Sequence, residues 1–96
     1  MARNPKVSII LSTYKRKPEM VVRAVKSAIA QTYTNIEVCV VDDSPGDFEK
    51  RDAVREAIRE LRDDRIHVIW HETNKGACAA RNTAIRATNG EYVIYL

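Results

Sequence analysis

The sequence predicts a three-layer α/β fold with a mostly parallel sheet of strand order 3-2-1-4. Short β-branched apolar runs alternate with segments that carry an apolar stripe at helical spacing, which is typical of β-α-β units. Right-handed crossovers then place later strands on both sides of the first. The chain has 96 residues, 45% of them apolar and 30% charged, which favours one modest core and argues against disorder or a membrane span.

The first half of the chain predicts two buried strands and the helix between them. Residues 7–13 form a nearly continuous apolar run, typical of a strand covered on both faces. A helix is predicted over residues 18–32, because Pro18 suits its first turn and apolar residues recur at helical spacing. Residues 36–41 form the second strand, and Asp47 is expected to cap the helix that follows.

The second half repeats this alternation. The second helix has interleaved arginines and acids on its outer face, which predicts a solvated, salt-bridged surface. A third strand over residues 65–70, a third helix over 77–88 and a fourth strand over 91–96 follow. Four small or apolar residues are available for packing of the third helix, namely Ala80, Ala84, Ile85 and Ala87.

Polar residues follow the first two strands where each one ends. Ser12, Thr13 and Tyr14 close the first strand, and Asp42 and Asp43 close the second. In an open α/β sheet, ligands bind beyond the carboxyl ends of the strands near the reversal of strand order, here expected between strands one and four. A carboxylate such as Asp43 can accept the ring N–H of uracil, and Tyr14 offers a face for stacking. The sequence therefore predicts a nucleotide-base site, and His71 and Asn74 fall at the same edge.

Other types of site are not supported by the sequence. With only three glycines, neither a P-loop nor a dinucleotide-binding glycine turn can be written. His67 and His71 would lie roughly 13 Å apart on a strand, too far to share a zinc ion. Cys39 and Cys78 are interpreted as buried free thiols. We therefore assign no metal site and no catalytic residue to this chain.

The net charge of +3 conceals a basic N-terminal third, where residues 1–35 carry seven Lys or Arg and one acid. Such a region can attract phosphates, whether of a nucleotide, a nucleic acid or an anionic membrane surface, and an ordinary solvated basic surface is the alternative. Nucleic acid is not expected as a partner, because interleaved aromatic residues are few. The N-terminus lacks the apolar segment of a signal peptide, which predicts a cytoplasmic location, with membrane-surface association an alternative for the parent protein.

Six sequence blocks in order resemble the N-terminal half of inverting family 2 glycosyltransferases, which have the Rossmann-like GT-A fold of nucleotide-diphospho-sugar transferases. The blocks cover residues 7–14, 27–33, 36–44, 74–76, 80–82 and 89–96. The resemblance thus spans nearly the whole chain, which is expected to be the nucleotide-sugar-binding part of one domain. The family usually has Pro at the position of Ser12 and Asn at that of Lys15.

The resemblance implies roles for individual residues. Ser12 or Thr13 and Tyr14 match the strand end that contacts the nucleoside, with Tyr14 stacking on uracil. Asp43 matches the aspartate that binds the base N–H, and Asp42 would brace its loop. Two further residues, Lys75 and Arg81, match positions near the base or the diphosphate.

The resemblance also implies a sugar transfer from a nucleotide-diphosphate donor, a UDP-sugar, to a hydroxyl acceptor with inversion. In this family an Asp-x-Asp motif that holds Mn²⁺ or Mg²⁺ follows the strand matched by residues 91–96, and the catalytic base lies further on. We therefore expect the full-length enzyme to use the metal and this 96-residue chain to be inactive. The alternative is a non-catalytic nucleotide- or anion-binding module, which an Asp-x-Asp or a stop codon after Leu96 would distinguish.

The fourth strand carries a further expectation about association. If it is the outer strand, its backbone groups and its apolar residues Val93, Ile94, Tyr95 and Leu96 are uncovered. We expect self-association of this chain through that strand.

Overall fold

The computed structural model describes residues 5–31, 33–44, 49–71 and 76–96, in which strands and helices alternate. The elements are β1 (Val7–Thr13), α1 (Pro18–Ile29), β2 (Ile36–Asp42), α2 (Arg51–Arg59), β3 (Ile66–Trp70), α3 (Ala77–Ala87) and β4 (Tyr92–Tyr95). Every predicted element is present, with bounds that differ from the prediction by a few residues. The expected cap Asp47 lies outside the described residues.

The four strands form one parallel sheet in the order β3-β2-β1-β4, which confirms the prediction. Val7 pairs with Ile36 on one side of β1 and with Tyr92 on the other. β1 and β2 are interior strands of this sheet, and all seven residues of β2 are buried. Their continuous apolar sequences therefore reflect cover on both faces.

Alternate residues of β1 and β2 supply two apolar cores, one on each face of the sheet. Ile9 and Val38 pack with Val25 of α1 and Val54 of α2. On the opposite face, Ile10, Cys39 and Val41 pack against two alanines of α3, Ala80 and Ala84. The two strands are thus sandwiched between α1 and α2 on one side and α3 on the other, the predicted three layers.

Helix α1 starts at Pro18, as predicted, and ends at Ile29, short of the predicted residue 32. Its buried residues, Val21, Val25 and Ala28, lie on one face, whereas Ala30 and Gln31 are exposed. The helix therefore ends where its apolar stripe ends, and Thr32 lies outside the described residues. No helix in the described part of the chain is long and apolar enough to cross a membrane.

The packing predicted for α3 is half wrong. Ala80 and Ala84 are fully buried, but Ile85 is 43% exposed and Ala87 is exposed as well. Ile85 stands about 100° around the helix from Ala84, which turns its side chain away from the sheet. The small side chains at 80 and 84 allow α3 to lie close to β1 and β2, and this closeness positions the start of α3 over their ends.

The connection from α3 to β4 is fixed to the amino-terminal end of β1. The backbone N–H of Gly90 donates to Oγ of Ser8 at 2.9 Å, and Nζ of Lys6 lies 2.9 Å from Oε2 of Glu37. Lys6 also donates to Oδ1 of Asn89 at 2.9 Å. The nearly buried carboxylate of Glu37 is thus paired with a cation, at the amino-terminal ends of the strands and opposite the predicted site.

Candidate functional site

The loops that follow β1 and β2 are hydrogen-bonded to each other. The backbone N–H of Asp43 donates to the carbonyl oxygen of Thr13 at 2.9 Å, continuing the strand pairing by one residue. The backbone N–H of Lys15 then donates to Oγ of Ser44 at 2.7 Å. These two contacts hold Tyr14, on the first loop, beside Asp43, on the second.

Asp42 faces inward and shapes the second loop. Its side chain is 1% exposed, and Oδ1 accepts a hydrogen bond from the backbone N–H of Ser44 at 2.8 Å. An aspartate that accepts the N–H two residues on forms a local turn. Asp42 thus acts on the loop that carries Asp43, and it does not line the cleft described below.

Tyr14 and Asp43 line one cleft at the carboxyl ends of β1 and β2. The cleft has a volume of about 370 Å³, within the usual range for small-molecule sites. Tyr14 is 46% exposed there, whereas Asp43 is 4% exposed. The residues that line the cleft are Ser12, Thr13, Tyr14, Arg16, Asp43, Gly76 and Ala80. An accessible aromatic ring thus stands beside a nearly buried carboxylate, with two hydroxyls nearby.

The cleft lies one strand away from the predicted position between β1 and β4. It opens over β1 and β2 because α3 crosses these strands and begins at their carboxyl ends. A separate hollow of about 300 Å³ includes Ser12 and Leu96, at the ends of β1 and β4. The candidate cleft therefore lies at the expected carboxyl ends of the strands, over β1 and β2, whereas the expected position between β1 and β4 corresponds to the separate hollow.

A larger groove, of about 570 Å³, lies between α2 and the outer strand β3. Arg55, Arg59, Asp63 and Trp70 are among its lining residues. It includes none of the residues at the ends of β1 and β2. Ligands of open α/β sheets bind beyond the carboxyl ends of the strands, so the smaller cleft is the candidate site.

The carboxylate of Asp43 is held by two elements besides its own strand. Its Oδ1 lies 2.7 Å from Nδ1 of His71, the residue after β3, and its Oδ2 accepts the backbone N–H of Gly76 at 2.8 Å. Gly76 precedes α3 and has φ of 92°, a conformation that favours glycine. A carboxylate accepts about four hydrogen bonds, so these contacts and one from a ligand are compatible on the same side chain.

Two cations stand near the aromatic side of the cleft. Arg16 lines the cleft directly, and Nζ of Lys15 lies 5.5 Å from the centre of the Tyr14 ring. Both side chains are exposed, so they can reorient toward an anion. A base bound against Tyr14 would have this positive charge within reach of its phosphates.

The described contacts do not bring Arg81, another predicted site residue, to the cleft. The guanidinium of Arg81 lies over the ring of Tyr95, 5.5 Å from its centre, and Arg81 does not line the cleft. Lys75 lies outside the described residues.

Sequence reasoning missed the contributions of Arg16, Gly76 and His71. Arg16 was one of several cations in a basic region, and nothing in its spacing singled it out. Gly76 enters the sequence analysis only within the block of residues 74–76, although its N–H donates to Asp43. His71 is predicted at the carboxyl ends of the strands without a named partner, and its signal is a polar residue just after a buried strand.

The described residues do not fit a metal site. Ranges 5–31, 33–44, 49–71 and 76–96 contain no group of three or more His, Cys, Asp or Glu side chains placed to hold an ion. Cys39 is a fully buried free thiol, and burial raises its pKa to about 11, with a smaller contribution from Glu37. The thiolate form of Cys39 is therefore scarce at neutral pH, and Cys39 serves as a residue of the core.

The fold is similar to that of solved glycosyltransferases. A mannosyltransferase from Pyrobaculum calidifontis, PcManGT, in complex with GDP-Man and Mn²⁺, superposes with a TM-score of 0.73 and 28% identity. The match covers 93% of this chain and 26% of that protein. TarS from S. aureus matches with a TM-score of 0.71 and 29% identity, over 95% of this chain and 16% of TarS. These similarities confirm the predicted GT-A fold of this chain.

Sequence comparison gives the same relationship. A UDP-Glc:α-D-GlcNAc-diphosphoundecaprenol β-1,3-glucosyltransferase of Escherichia coli, WfaP, is 38% identical over 94% of this chain and 34% of its own length. The chain spans about a third of the length of the curated relatives it matches first. The family described as Glycosyl transferase family 2 matches residues 8–96. This chain therefore belongs to glycosyl transferase family 2.

Proposed function

We propose that the whole protein transfers a sugar from a UDP-sugar to a hydroxyl acceptor with inversion, and that this chain supplies its nucleotide-recognition part. The observation that carries the proposal is the shared cleft of Tyr14 and Asp43. Membership in a family of glycosyltransferases that act on nucleotide sugars supports the reaction class.

The cleft suggests how the nucleoside binds. The base stacks on the exposed ring of Tyr14 and donates its ring N–H to the carboxylate of Asp43. Hydroxyls of Ser12 and Thr13 contact the base or the ribose, and Arg16 faces the diphosphate. Asp42 contributes indirectly by holding the loop that carries Asp43.

The choice of uracil rests on the relative WfaP, whose name specifies UDP-Glc as donor. PcManGT is described with GDP-Man, so the nucleotide differs between the two proteins. Uracil offers one ring N–H and two carbonyl oxygens, and one carboxylate oxygen is sufficient to accept that N–H.

A divalent metal, Mn²⁺ or Mg²⁺, is proposed for the whole protein, supported by the Mn²⁺ described for PcManGT. When bound, such an ion neutralises negative charge that develops on the leaving diphosphate. The described residues of this chain offer no cluster that would hold it, so their proposed contribution ends with binding and orienting the nucleotide. By itself the chain is proposed to be inactive.

Calorimetric titration of this chain with UDP tests the proposal. We expect weak binding, with a binding free energy of a magnitude on the order of 4 to 6 kcal/mol, because this chain offers the nucleotide one stacking ring and a few polar contacts. Tyr14→Ala removes the stacking face and should abolish the signal. Tyr92→Ala is the matched control, since Tyr92 is also an exposed tyrosine, at 57% compared with 46% for Tyr14, but lies at the amino-terminal end of β4. Absence of any UDP response at millimolar concentration, or equal loss in both variants, would overturn the proposal.

We also propose that two copies of this chain associate through β4. Among the described strands, β4 pairs with β1 on one side only, and its residues are 40–57% exposed. An uncovered strand edge with apolar side chains favours pairing with another copy. Light scattering at rising concentration should show dimers or larger species, and a constant monomer mass would contradict this.

A further inference from the structure

His71 connects the carboxylate of Asp43 to helix α3. The imidazole is 6% exposed, with Nδ1 2.7 Å from Oδ1 of Asp43 and Nε2 2.9 Å from Oγ1 of Thr83. Thr83 Oγ1 also lies 3.0 Å from the carbonyl oxygen of Ala79, one turn earlier in the helix. The ring is thus fixed at both nitrogens, between the end of β2 and the middle of α3.

The donor and the acceptor of the contact between His71 and Asp43 can be assigned. An ionised carboxylate only accepts, so Nδ1 of His71 must carry the proton of that contact. At the other nitrogen, the Thr83 hydroxyl can donate to Nε2 or accept from it while donating to Ala79. In either arrangement the Asp43 contact is the same, because the rotating hydroxyl of Thr83 adjusts to the ring.

The backbone of His71 is fixed as well. Its N–H donates to the carbonyl oxygen of Asp42 at 3.0 Å, and its carbonyl oxygen accepts from Nη2 of Arg51 at 2.9 Å. The imidazole therefore projects from an anchored position, and it contacts Asp43 from the side of β3. Gly76 donates to the other oxygen of Asp43 from the side of α3.

We infer that His71 is a positioning residue for nucleotide recognition: it fixes the plane of the Asp43 carboxylate so that the carboxylate meets the base stacked on Tyr14. The inference rests on the proposed nucleotide-binding function of the cleft. His71 does not line the cleft, so its effect passes through Asp43. The part of the protein that selects the base thus includes the residue that follows β3, His71, and the residue that precedes α3, Gly76, in addition to the ends of β1 and β2.

Two amide substitutions separate the roles of the two ring nitrogens. In His71→Asn, the amide nitrogen occupies approximately the place of Nδ1 and can still donate to Asp43. In His71→Gln, the amide nitrogen lies near the place of Nε2 and can reach Thr83 but not Asp43. Both variants remove the aromatic ring, and Asn is the smaller side chain, so packing losses alone should weaken His71→Asn at least as much as His71→Gln.

The experiment measures two quantities in this chain and both variants. Hydrogen exchange of the Gly76 amide reports the orientation of the carboxylate without nucleotide, and titration with UDP reports binding. We expect His71→Gln to lose most of the Gly76 protection and to bind UDP about 10-fold more weakly. His71→Asn should stay within about three-fold of the unaltered chain in both.

The outcomes separate this inference from the proposed function. Two results would overturn the inference and leave the proposed function standing, provided that the unaltered chain binds UDP. In one, His71→Gln binds UDP equally well; in the other, both variants lose affinity in step with their melting temperatures. If the unaltered chain does not bind UDP, both fall. Should His71→Gln fail to fold, Thr83→Val takes its place, since it frees the ring from α3. An unchanged affinity and unchanged Gly76 protection in Thr83→Val would then overturn the inference.

Discussion

The backbone N–H of Lys15 donates to the side-chain oxygen of Ser44, 29 residues further along the chain, at 2.7 Å. The contact joins the loop that carries Tyr14 to the loop that carries Asp43. Because Ser44 is 1% exposed and its own N–H is bonded to Asp42, the serine hydroxyl cannot be replaced by water without rearrangement. The geometry of the cleft therefore depends on a residue that does not line it.

Ser44→Ala should lower the free energy of unfolding by about 1 to 2 kcal/mol, because it leaves the N–H of Lys15 without its buried acceptor. Urea denaturation followed by circular dichroism measures this change. Ser27→Ala is the control, since the Ser27 hydroxyl donates to the carbonyl oxygen of Ala24 within the exposed surface of α1 and does not join two loops. A loss in Ser44→Ala no greater than in the control would show that the loops are held together by other contacts.

Lys15→Asn should stabilise the chain by about 0.5 to 1 kcal/mol. Lys15 has φ of 50°, a left-handed conformation that asparagine tolerates better than lysine. Lys15→Gln removes the same charge and keeps a side chain unsuited to that conformation, so it should give no gain. Thermal melting of the two variants side by side distinguishes backbone strain from charge, and equal melting temperatures would contradict the strain argument.

The two described glycines before α3 and β4 should respond differently to alanine. A Cβ at Gly90 would lie 2.7 Å from the backbone nitrogen of Ser8, so Gly90→Ala should cost about 2 to 3 kcal/mol by forcing β4 away from β1. A Cβ at Gly76 meets no atom within 4 Å, and Gly76→Ala should cost about 1 kcal/mol through its φ of 92° alone. Chemical denaturation gives both values, and a larger cost at Gly76 would contradict this assignment.

Asp63 should make stability depend on pH in the acid range. Hydrogen bonds from the side chain and backbone of Arg65 lower the pKa of Asp63 from 3.8 to about 2. Because the folded pKa lies below the unfolded one, the stabilisation is present above pH 3.8 and is lost as the pH falls through about 2. Solvent screens this partly exposed pair, so about 1 kcal/mol or less is expected.

The Asp63 effect is measured as the difference in unfolding free energy between the unaltered chain and Asp63→Asn at a series of pH values. The difference should shrink between pH 4 and 2. A difference that stays constant over this interval would mean that the Arg65 contacts do not persist in solution.

The sheet was predictable because its strands are buried on both faces. Continuous apolar runs such as residues 7–13 and 36–42 are typical of strands inside a parallel sheet. The right-handed helical crossovers between such strands then restrict the strand order. The ends of helices were less predictable. Helix α1 ends where its contact with the sheet ends, and the outward direction of Ile85 depends on how α3 lies on β1 and β2.

The candidate-site residues at the ends of β1 and β2 could be predicted from the sequence. The residues that reach the site through tertiary contacts could not. Tyr14 and Asp43 follow directly from two neighbouring strands that end at one edge. His71 and Gly76 reach Asp43 only because the ends of β3 and α3 converge on it, and no local pattern encodes that convergence. The placement of the cleft under α3 has the same origin.

The most direct test is an NMR titration of this chain with UDP, with nuclear Overhauser effects measured from uracil H5 and H6. If the base stacks in the cleft, these protons should show contacts with the Tyr14 ring, and the largest shift changes should fall on Tyr14, Asp43 and Gly76. Shift changes centred instead on Arg55, Arg59 and Trp70, in the groove between α2 and β3, would contradict nucleotide recognition by the ends of β1 and β2.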